Sequence, residues 1–262
     1  MRLFYSLRIL LSKQSLLTFI PGSEKTSRSK ILRLFSGLRP IKTEINLIRI
    51  GDSNDGGYLV PDDLTGIQGL VSPGVGNTIR FDLEIAKDMP ALLIDGTVSK
   101  PVNLPHNIDF LPLMLGSEVS LESLLDSFFP SARELILSMD IEGAEWQVLK
   151  NTNRMCLDSF RIIVIELHNL HTLLNFKDYT SKKEIIDKIL ANFSVLHLHC
   201  NNGGGHFYFQ GTKLPRVIEL TLLRNDRFTK NYGFAKIPNR LDSKNLPDKP
   251  EIKLSNIFAF MR

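Results

Sequence analysis

Short apolar runs alternate with amphipathic segments along most of the chain. The apolar runs predict buried strands, and the intervening segments, in which apolar residues recur every three or four positions, predict helices. Strands are predicted at 66–72, 91–95, 109–115, 134–140, 161–167, 195–199 and 216–222. Helices are predicted at 29–38, 78–87, 120–128, 145–150 and 181–192.

This alternation is typical of an α/β fold of the Rossmann-like kind. Strands that alternate with helices form a mostly parallel sheet with both faces covered. The near-continuous apolar character of the strands agrees, because parallel strands are buried on both sides. The last two strands are joined by 201–205 and a stretch without helical pattern, which predicts antiparallel pairing at the edge of the sheet.

The first 45 residues differ from the rest and are predicted to form a helical arm with a linker, followed by one domain at 46–262. Residues 3–20 have apolar residues at helical spacing, but Arg8 and Lys13 interrupt them and the run is too short to span a membrane. Three interpretations stay open: a helix packed on the main domain, a helix that contacts anionic lipid at a membrane surface, and a removable transit peptide.

Charge and cysteine content narrow the class of protein. The net charge of +4 is concentrated in residues 1–42, which carry nine basic residues and one acidic residue. The rest of the chain is net acidic, so a nucleic-acid-binding face is not expected. The two cysteines, Cys156 and Cys200, lie far apart and form no disulfide framework. A reducing compartment is therefore expected, and with it a cytoplasmic location, with membrane contact only through the arm.

Candidate chemistry follows from what comes after each strand. In open α/β sheets, ligands bind beyond the carboxyl ends of the strands. Polar or ionisable residues follow five of the predicted strands: Ser72–Asn77, Asp95–Thr97, Asp140–Glu145, Glu166–Asn169 and His199–Asn202.

The first two of these strand ends predict a nucleoside site. Gly74 and Gly76 allow the backbone to turn tightly beside a ligand, and the carboxylate of Asp95 can accept hydrogen bonds from an adenosine ribose. The third glycine of a dinucleotide fingerprint is absent, since Ile79 takes its place. An adenosine ligand without phosphates fits better, and Asp140 and Glu142 favour a positively charged one. S-adenosylmethionine (SAM) is such a ligand.

Several motifs resemble those of the FkbM-like, class I SAM-dependent methyltransferases. They are Gly51–Asp63, Ser72–Gly76, Met139–Trp146, Ile165–His168 and His197–Asn202, and the resemblance covers about residues 48–225. It implies a seven-stranded sheet and SAM as the cofactor. It also implies methyl transfer to a hydroxyl of a sugar, a polysaccharide or a related metabolite, in association with polysaccharide assembly.

Methyl transfer to an alcohol requires a group that removes a proton. His168 is the first candidate for this general base, because histidine titrates near neutral pH and Glu166, two residues away, can orient it. Asp140 is the second candidate, as base or as partner of the ammonium group of the cofactor. The main hypothesis contains no metal. The alternative is a divalent ion held where Asp140, Glu166, His168 and His199 converge.

The remaining candidates surround this centre. Asp55, Gly56, Gly57 and Tyr58 are expected to lie over the cofactor. His199, Asn201 and Asn202 are expected to shape the pocket for a small-molecule or glycan acceptor. A second functional hypothesis is a non-catalytic methyltransferase-like module that binds within a glycan-assembly complex. A third, a nicotinamide dehydrogenase, is disfavoured by Ile79.

Overall fold

The computed structural model describes residues 24–76 and 78–254, so the helix predicted at 3–20 lies outside the described residues. The helices are α1 (Arg28–Gly37), α2 (Arg80–Ile85), α3 (Leu121–Phe128), α4 (Glu145–Asn151), α5 (Arg154–Leu157) and α6 (Phe176–Leu190). The strands are β1 (Ile41–Thr43), β2 (Leu47–Gly51), β3 (Gly57–Pro61), β4 (Gly69–Pro73), β5 (Ala91–Ile94), β6 (Ile108–Leu111), β7 (Leu135–Met139), β8 (Phe160–Leu167), β9 (Phe193–Cys200), β10 (His206–Phe209), β11 (Thr212–Pro215), β12 (Ile218–Arg224) and β13 (Asn231–Phe234).

Seven of these strands form one sheet in the order β6-β5-β4-β7-β8-β12-β9. The β4, β5, β6, β7 and β8 pairings are parallel. Strand β12 runs antiparallel to both β8 and β9. The prediction of a mostly parallel α/β sheet with an antiparallel edge is confirmed, and the antiparallel strand lies second from the edge. The polar strand ends therefore meet at one side of the sheet.

Both faces of the sheet are covered, because alternate residues of each strand enter different core clusters. In β7, Leu135 and Leu137 pack in the cluster that contains α1, α3 and α6, whereas Ile136 packs in the cluster that contains α2. The second face carries the β2–β3 hairpin as well as α2. No helix in the described ranges has both the length and the apolar character needed to cross a membrane.

Helix α1 packs into the main core, although it belongs to the segment predicted as an arm. Ser27 caps its N-terminus by accepting from the N–H of Lys30. Ile31 and Phe35 are completely buried and join the cluster on the first face of the sheet. Strand β1 pairs with β13 near the other end of the chain. Residues 28–43 therefore share the core and the strand pairing of the residues that follow.

Some element boundaries differ from the predicted ones for local physical reasons. Helix α6 begins at Phe176 rather than at residue 181, because the side chain of Asn175 accepts hydrogen bonds from Lys177 and Asp178. Strand β6 ends before Pro112, which has no N–H to donate to a neighbouring strand. The hairpins β2–β3 and β10–β11 were not predicted, since their strands are only four or five residues long and one strand of each, β2 and β10, is only partly buried.

Candidate active site

The turn after β4 passes directly over the segment that follows β7. Gly74 has a φ of +87°, and a Cβ atom at this position would lie 1.7 Å from the backbone oxygen of Asp140. The N–H of Gly74 donates to the carbonyl of Ile94 at 2.8 Å. Only glycine fits this position, and its close approach brings the ends of β4, β5 and β7 together.

Asp95 ties the glycine turn to the end of β5. Its Oδ2 accepts from the N–H of Gly76 at 3.0 Å, and its Oδ1 accepts from the N–H and hydroxyl of Thr97 at 2.7 and 2.6 Å. A carboxylate offers about four acceptor sites. Oδ2 therefore keeps capacity to accept a bond from a ligand hydroxyl at this edge.

Asp140, Glu166 and His168 converge as expected from the sequence, and together they are called the acid–histidine cluster below. One ligating atom from each lies within 4.8 Å of the others. Nε2 of His168 is 3.8 Å from Oδ1 of Asp140 and 3.8 Å from Oε2 of Glu166. Both distances exceed a hydrogen bond. Glu142 lies at the rim, with an 87% exposed side chain and Oε2 3.6 Å from the same nitrogen.

Glu145 holds His168 in place and was not among the predicted site residues. Its side chain is completely buried, and Oε1 lies 3.0 Å from Nδ1 of His168. The same oxygen accepts from the N–H groups of Ile141 and Gly143. The indole of Trp146 donates to the backbone oxygen of His168 at 2.8 Å. The sequence places Glu145 at the start of a predicted helix, where an acidic residue is common, so its position alone did not indicate a role in the site.

Burial and neighbouring ionisable groups shift the pKa values of the cluster. Burial raises the pKa of Asp140 to about 6, although a hydrogen bond to Glu166 and the charge of His168 act to lower it. Burial, together with the charges of Asp140 and Glu219, also raises the pKa of Glu166. For His168, burial lowers the pKa, but the hydrogen bond to Glu145 and the charges of the surrounding acids outweigh it, so the net shift is upward. The site therefore favours a positively charged occupant.

A buried row of ionisable residues extends from this cluster across the sheet. Glu219 of β12 pairs in register with Glu166 of β8 and with His199 of β9. Nδ1 of His199 lies 3.2 Å from Glu219, and its Nε2 lies 3.5 Å from Glu251 of the C-terminal tail, which is residues 238–254. His199 is therefore engaged with these two acids and is not a member of the acid–histidine cluster. Glu219 was missed, although a single acid within an apolar strand was a usable signal.

The asparagines predicted to shape an acceptor pocket are used in internal hydrogen bonds. Asn201 donates from Nδ2 to Glu166, and its Oδ1 accepts from the N–H groups of Gly203 and Gly204. Asn202 binds the tail by donating to Leu246 and Lys249 and by accepting from the N–H of Leu246. Asn201 thus fixes a carboxylate of the cluster, whereas Asn202 fixes the tail as it wraps the surface.

The β2–β3 hairpin brings its predicted residues to the same edge. Asp55 accepts from Nδ2 of Asn245 at 3.0 Å, and Asn245 also donates to Glu219. Burial raises the pKa of Tyr58, with further contributions from Asp140, Glu166, Glu219 and Asp55, so its hydroxyl lies within the field of these acids. The hairpin is anchored where the hydroxyl of Thr221 donates to the carbonyl of Leu59.

Two glycines make the turn of this hairpin. Gly56 has a φ of +79°, and a Cβ at Gly57 would lie 1.8 Å from the backbone oxygen of Asp52. Their role in the structure is to let the hairpin turn tightly beside the acidic edge. Asn245, which connects the hairpin, the row and the tail, had no signal in the sequence because its partners are distant along the chain.

The arrangement can attract a cation, orient an imidazole and accept a proton at one edge of the sheet. In a comparison with family models, residues 117–202 match the methyltransferase FkbM domain. The match covers about a third of the chain and includes Asp140, Glu145, Glu166 and His168, but neither Gly74 nor Asp95. It confirms the resemblance seen in the sequence motifs and supports methyltransferase activity.

Similar solved structures share this chain's fold only loosely. A fibrillarin/Nop5p complex matches with 13% identity over 61% of this chain and 73% of that chain, at a TM-score of 0.38. A SAM-dependent methyltransferase from Archaeoglobus fulgidus matches with 13% identity over 62% and 88%, at 0.34. Bluetongue virus VP4, described as an RNA-capping production line, matches with 12% identity over 60% and 23%, at 0.27. No curated protein sequence matches the chain.

Proposed function

We propose that this chain is a SAM-dependent methyltransferase that methylates a hydroxyl of a sugar, a polysaccharide or a related metabolite. The match to the FkbM domain supports the methyltransferase class. The proposal of SAM as the cofactor rests on the edge of the sheet where the ends of β4, β5 and β7 meet. There Gly74 lies against the backbone of Asp140, and the N–H of Gly76 donates to Asp95.

The residues at this edge suit a cationic nucleoside. Asp95 accepts hydrogen bonds from the ribose hydroxyls, and the glycine turn leaves room for the ligand to approach the backbone. Asp140 and Glu142 attract the sulfonium and ammonium groups. Asp55, Gly56, Gly57 and Tyr58 close the site from the side of the hairpin. A phosphate-bearing cofactor would be repelled by the same acids.

The acid–histidine cluster serves the acceptor. When bound, SAM supplies an electrophilic methyl group; its bond to sulfur breaks as the bond to the acceptor oxygen forms. The acceptor hydroxyl must lose its proton, and the cluster lies at the edge where that oxygen would approach. His168 acts through Nε2, since Nδ1 is bound to Glu145. The hydrogen bond to Glu145 and the charges of Glu145, Asp140 and Glu142 stabilise the protonated imidazole as the proton moves.

Cofactor binding is tested by isothermal titration of the full chain with SAM and with S-adenosylhomocysteine. Asp95→Ala is expected to weaken the binding of both ligands by about tenfold or more, because the ribose hydroxyls lose a charged acceptor. Asp109→Ala, at an exposed position of β6, is the matched control and should bind normally. Binding of neither ligand by the unmodified chain would contradict the proposal. Equal affinity of Asp95→Ala would remove Asp95 from the site.

Turnover is tested with labelled SAM and a panel of glycans, lipid-linked sugars and small alcohols. We expect His168→Ala to keep SAM affinity within a few fold and to lose about 10²- to 10⁴-fold in rate. His206→Ala, an exposed histidine on β10, should be unaffected. Full activity of His168→Ala would reassign its role. Tight SAM binding with no methylated product would favour the non-catalytic binding module.

A further inference from the structure

The acid–histidine cluster has the composition and spacing of ligands around one ion. The ligating atoms of Asp140, Glu166 and His168 come from the ends of two neighbouring parallel strands, β7 and β8. The separations of 3.8 Å from Nε2 to each carboxylate oxygen are too long for hydrogen bonds. Adjacent ligands of an octahedral ion with bond lengths of about 2.1 Å lie about 3.0 Å apart and opposite ligands about 4.2 Å apart, so the separations of 3.8 Å lie within the range that one ion can span.

Two buried carboxylate oxygens in and beside this cluster, Oδ1 of Asp140 and Oε2 of Glu145, have no hydrogen-bond partner among the described residues. The side chain of Glu166 is only 6% exposed, its Oε1 accepts from Asn201, and its carboxyl group also shares a hydrogen bond with that of Asp140. Within the described ranges, the ion pairs of Asp140 and Glu166 involve His168 and no lysine or arginine. Buried oxygens of this kind are costly without a partner.

The histidine is oriented as metal-bound histidines are. Its Nδ1 is held by Glu145, which is completely buried and is fixed in turn by two backbone N–H groups. A carboxylate on one ring nitrogen sets the tautomer and leaves the lone pair of the other nitrogen for a ligand. That nitrogen is Nε2, which faces Asp140, Glu142 and Glu166.

We propose that Asp140, Glu166 and His168 bind a divalent cation of the Mg²⁺ or Mn²⁺ class, with Glu145 positioning His168. A set dominated by carboxylate oxygens selects hard cations, and the single imidazole suits Mn²⁺. Glu142, exposed at the rim, leaves the side facing solvent open to further ligands. The site deepens the proposed function and rests on it. With the ion bound, Nε2 of His168 is a ligand instead of the general base, and the acceptor hydroxyl occupies an open position, where the ion lowers its pKa and its proton passes to water.

The binding test uses the full chain without SAM, titrated with Mn²⁺ and followed by electron paramagnetic resonance and calorimetry. One bound Mn²⁺ per chain is expected, and Glu166→Gln should lower the affinity for Mn²⁺ by about tenfold or more. Glu184→Gln, the same chemical change at an exposed position of α6, is the matched control and should bind as the unmodified chain does. Absence of Mn²⁺ binding, or equal binding by Glu166→Gln, would overturn the site.

A second measurement identifies the imidazole ligand directly and does not depend on the folding of Glu166→Gln. The electron spin echo of bound Mn²⁺ should show nitrogen coupling from an imidazole in the unmodified chain, whereas His206→Ala keeps the coupling and His168→Ala loses it. Nitrogen coupling that persists in His168→Ala would refute the assigned ligand.

Whether methyl transfer requires the ion is tested separately from whether the ion binds. Methyl transfer is measured with and without a chelator, and SAM affinity is measured in the chelator alone. Unchanged transfer in the chelator would refute the role of the ion while leaving the methyltransferase proposal intact. Loss of transfer that Mn²⁺ restores, with SAM affinity unchanged, supports both.

Discussion

Two glycines of the turn after β4 lie two positions apart but face different surroundings. A methyl group at Gly74 would lie 1.7 Å from the backbone oxygen of Asp140, whereas one at Gly76 would meet nothing within 4 Å. Both have positive φ, +87° and +54°. The backbone conformation is thus unfavourable for other residues at both positions, but only Gly74 is held by a close contact with the cluster.

Gly74→Ala is therefore expected to cost at least about 3 kcal/mol of unfolding free energy, because the backbone at Asp140 must move. Gly76→Ala should cost only about 1 kcal/mol, the penalty of the left-handed conformation alone. Urea denaturation of the two variants measures this difference. Similar losses in both would show that the contact with Asp140 is not what fixes the turn.

At the scale of elements, α1 behaves as part of the domain. Ile31 and Phe35 are completely buried on the side that faces the sheet, while Arg33 on the other side is exposed. Glu24 and Thr26, just before the helix, make backbone hydrogen bonds to Phe176 and Leu174. The segment after residue 24 is therefore structurally joined to α6 and the sheet.

Phe35→Ala should lower the free energy of unfolding by about 3–5 kcal/mol, since it leaves a cavity in the main core. Arg33→Ala on the same helix should change it by less than about 0.5 kcal/mol. Thermal or urea unfolding of both variants is the measurement. A small effect of Phe35→Ala would mean that α1 is an appendage of the domain, which is what the sequence predicts for residues 1–45.

On the scale of the molecule, the acidic side chains at the two ends of the sheet have different ion-pair partners. At the amino ends of β7 and β8, Glu134 bridges Arg161 and Arg224, with each shortest contact at 2.5 Å. At the carboxyl ends, Asp140, Glu166 and Glu219 have only histidines as ion-pair partners among the described residues. The amino end therefore pairs its acid with arginines, whereas the carboxyl end favours the binding of a cation.

Glu134→Gln should destabilise the protein by roughly 2–4 kcal/mol, because Arg161, whose side chain is 4% exposed, loses the nearer of its two acidic partners and keeps only Asp63, at 3.5 Å. Glu184→Gln, an exposed change of the same type, serves as the control for urea unfolding. SAM affinity should not change in either variant, since Glu134 lies at the far end of the strands. A loss of affinity without a loss of stability would contradict this separation of roles.

The sequence by itself determined the class of fold and the positions of most candidate groups. Apolar runs, glycine turns and acids at strand ends are local patterns, so they suffice to place Gly74, Asp95, Asp140 and Glu166 at one edge of the sheet. The convergence of Asp140, Glu166 and His168 was predicted for the same reason, but the predicted set also included His199, which lies outside the cluster.

Only the tertiary structure decided which of these groups touch. Strand β12 inserts between β8 and β9 and so brings Glu219 beside Glu166 and draws His199 away from the cluster. The contact of Glu145 with His168 and the link from Asn245 to Asp55 join residues that are distant along the chain. Strand order and side-chain direction depend on packing between segments that are distant along the chain, so they cannot be predicted from local periodicity.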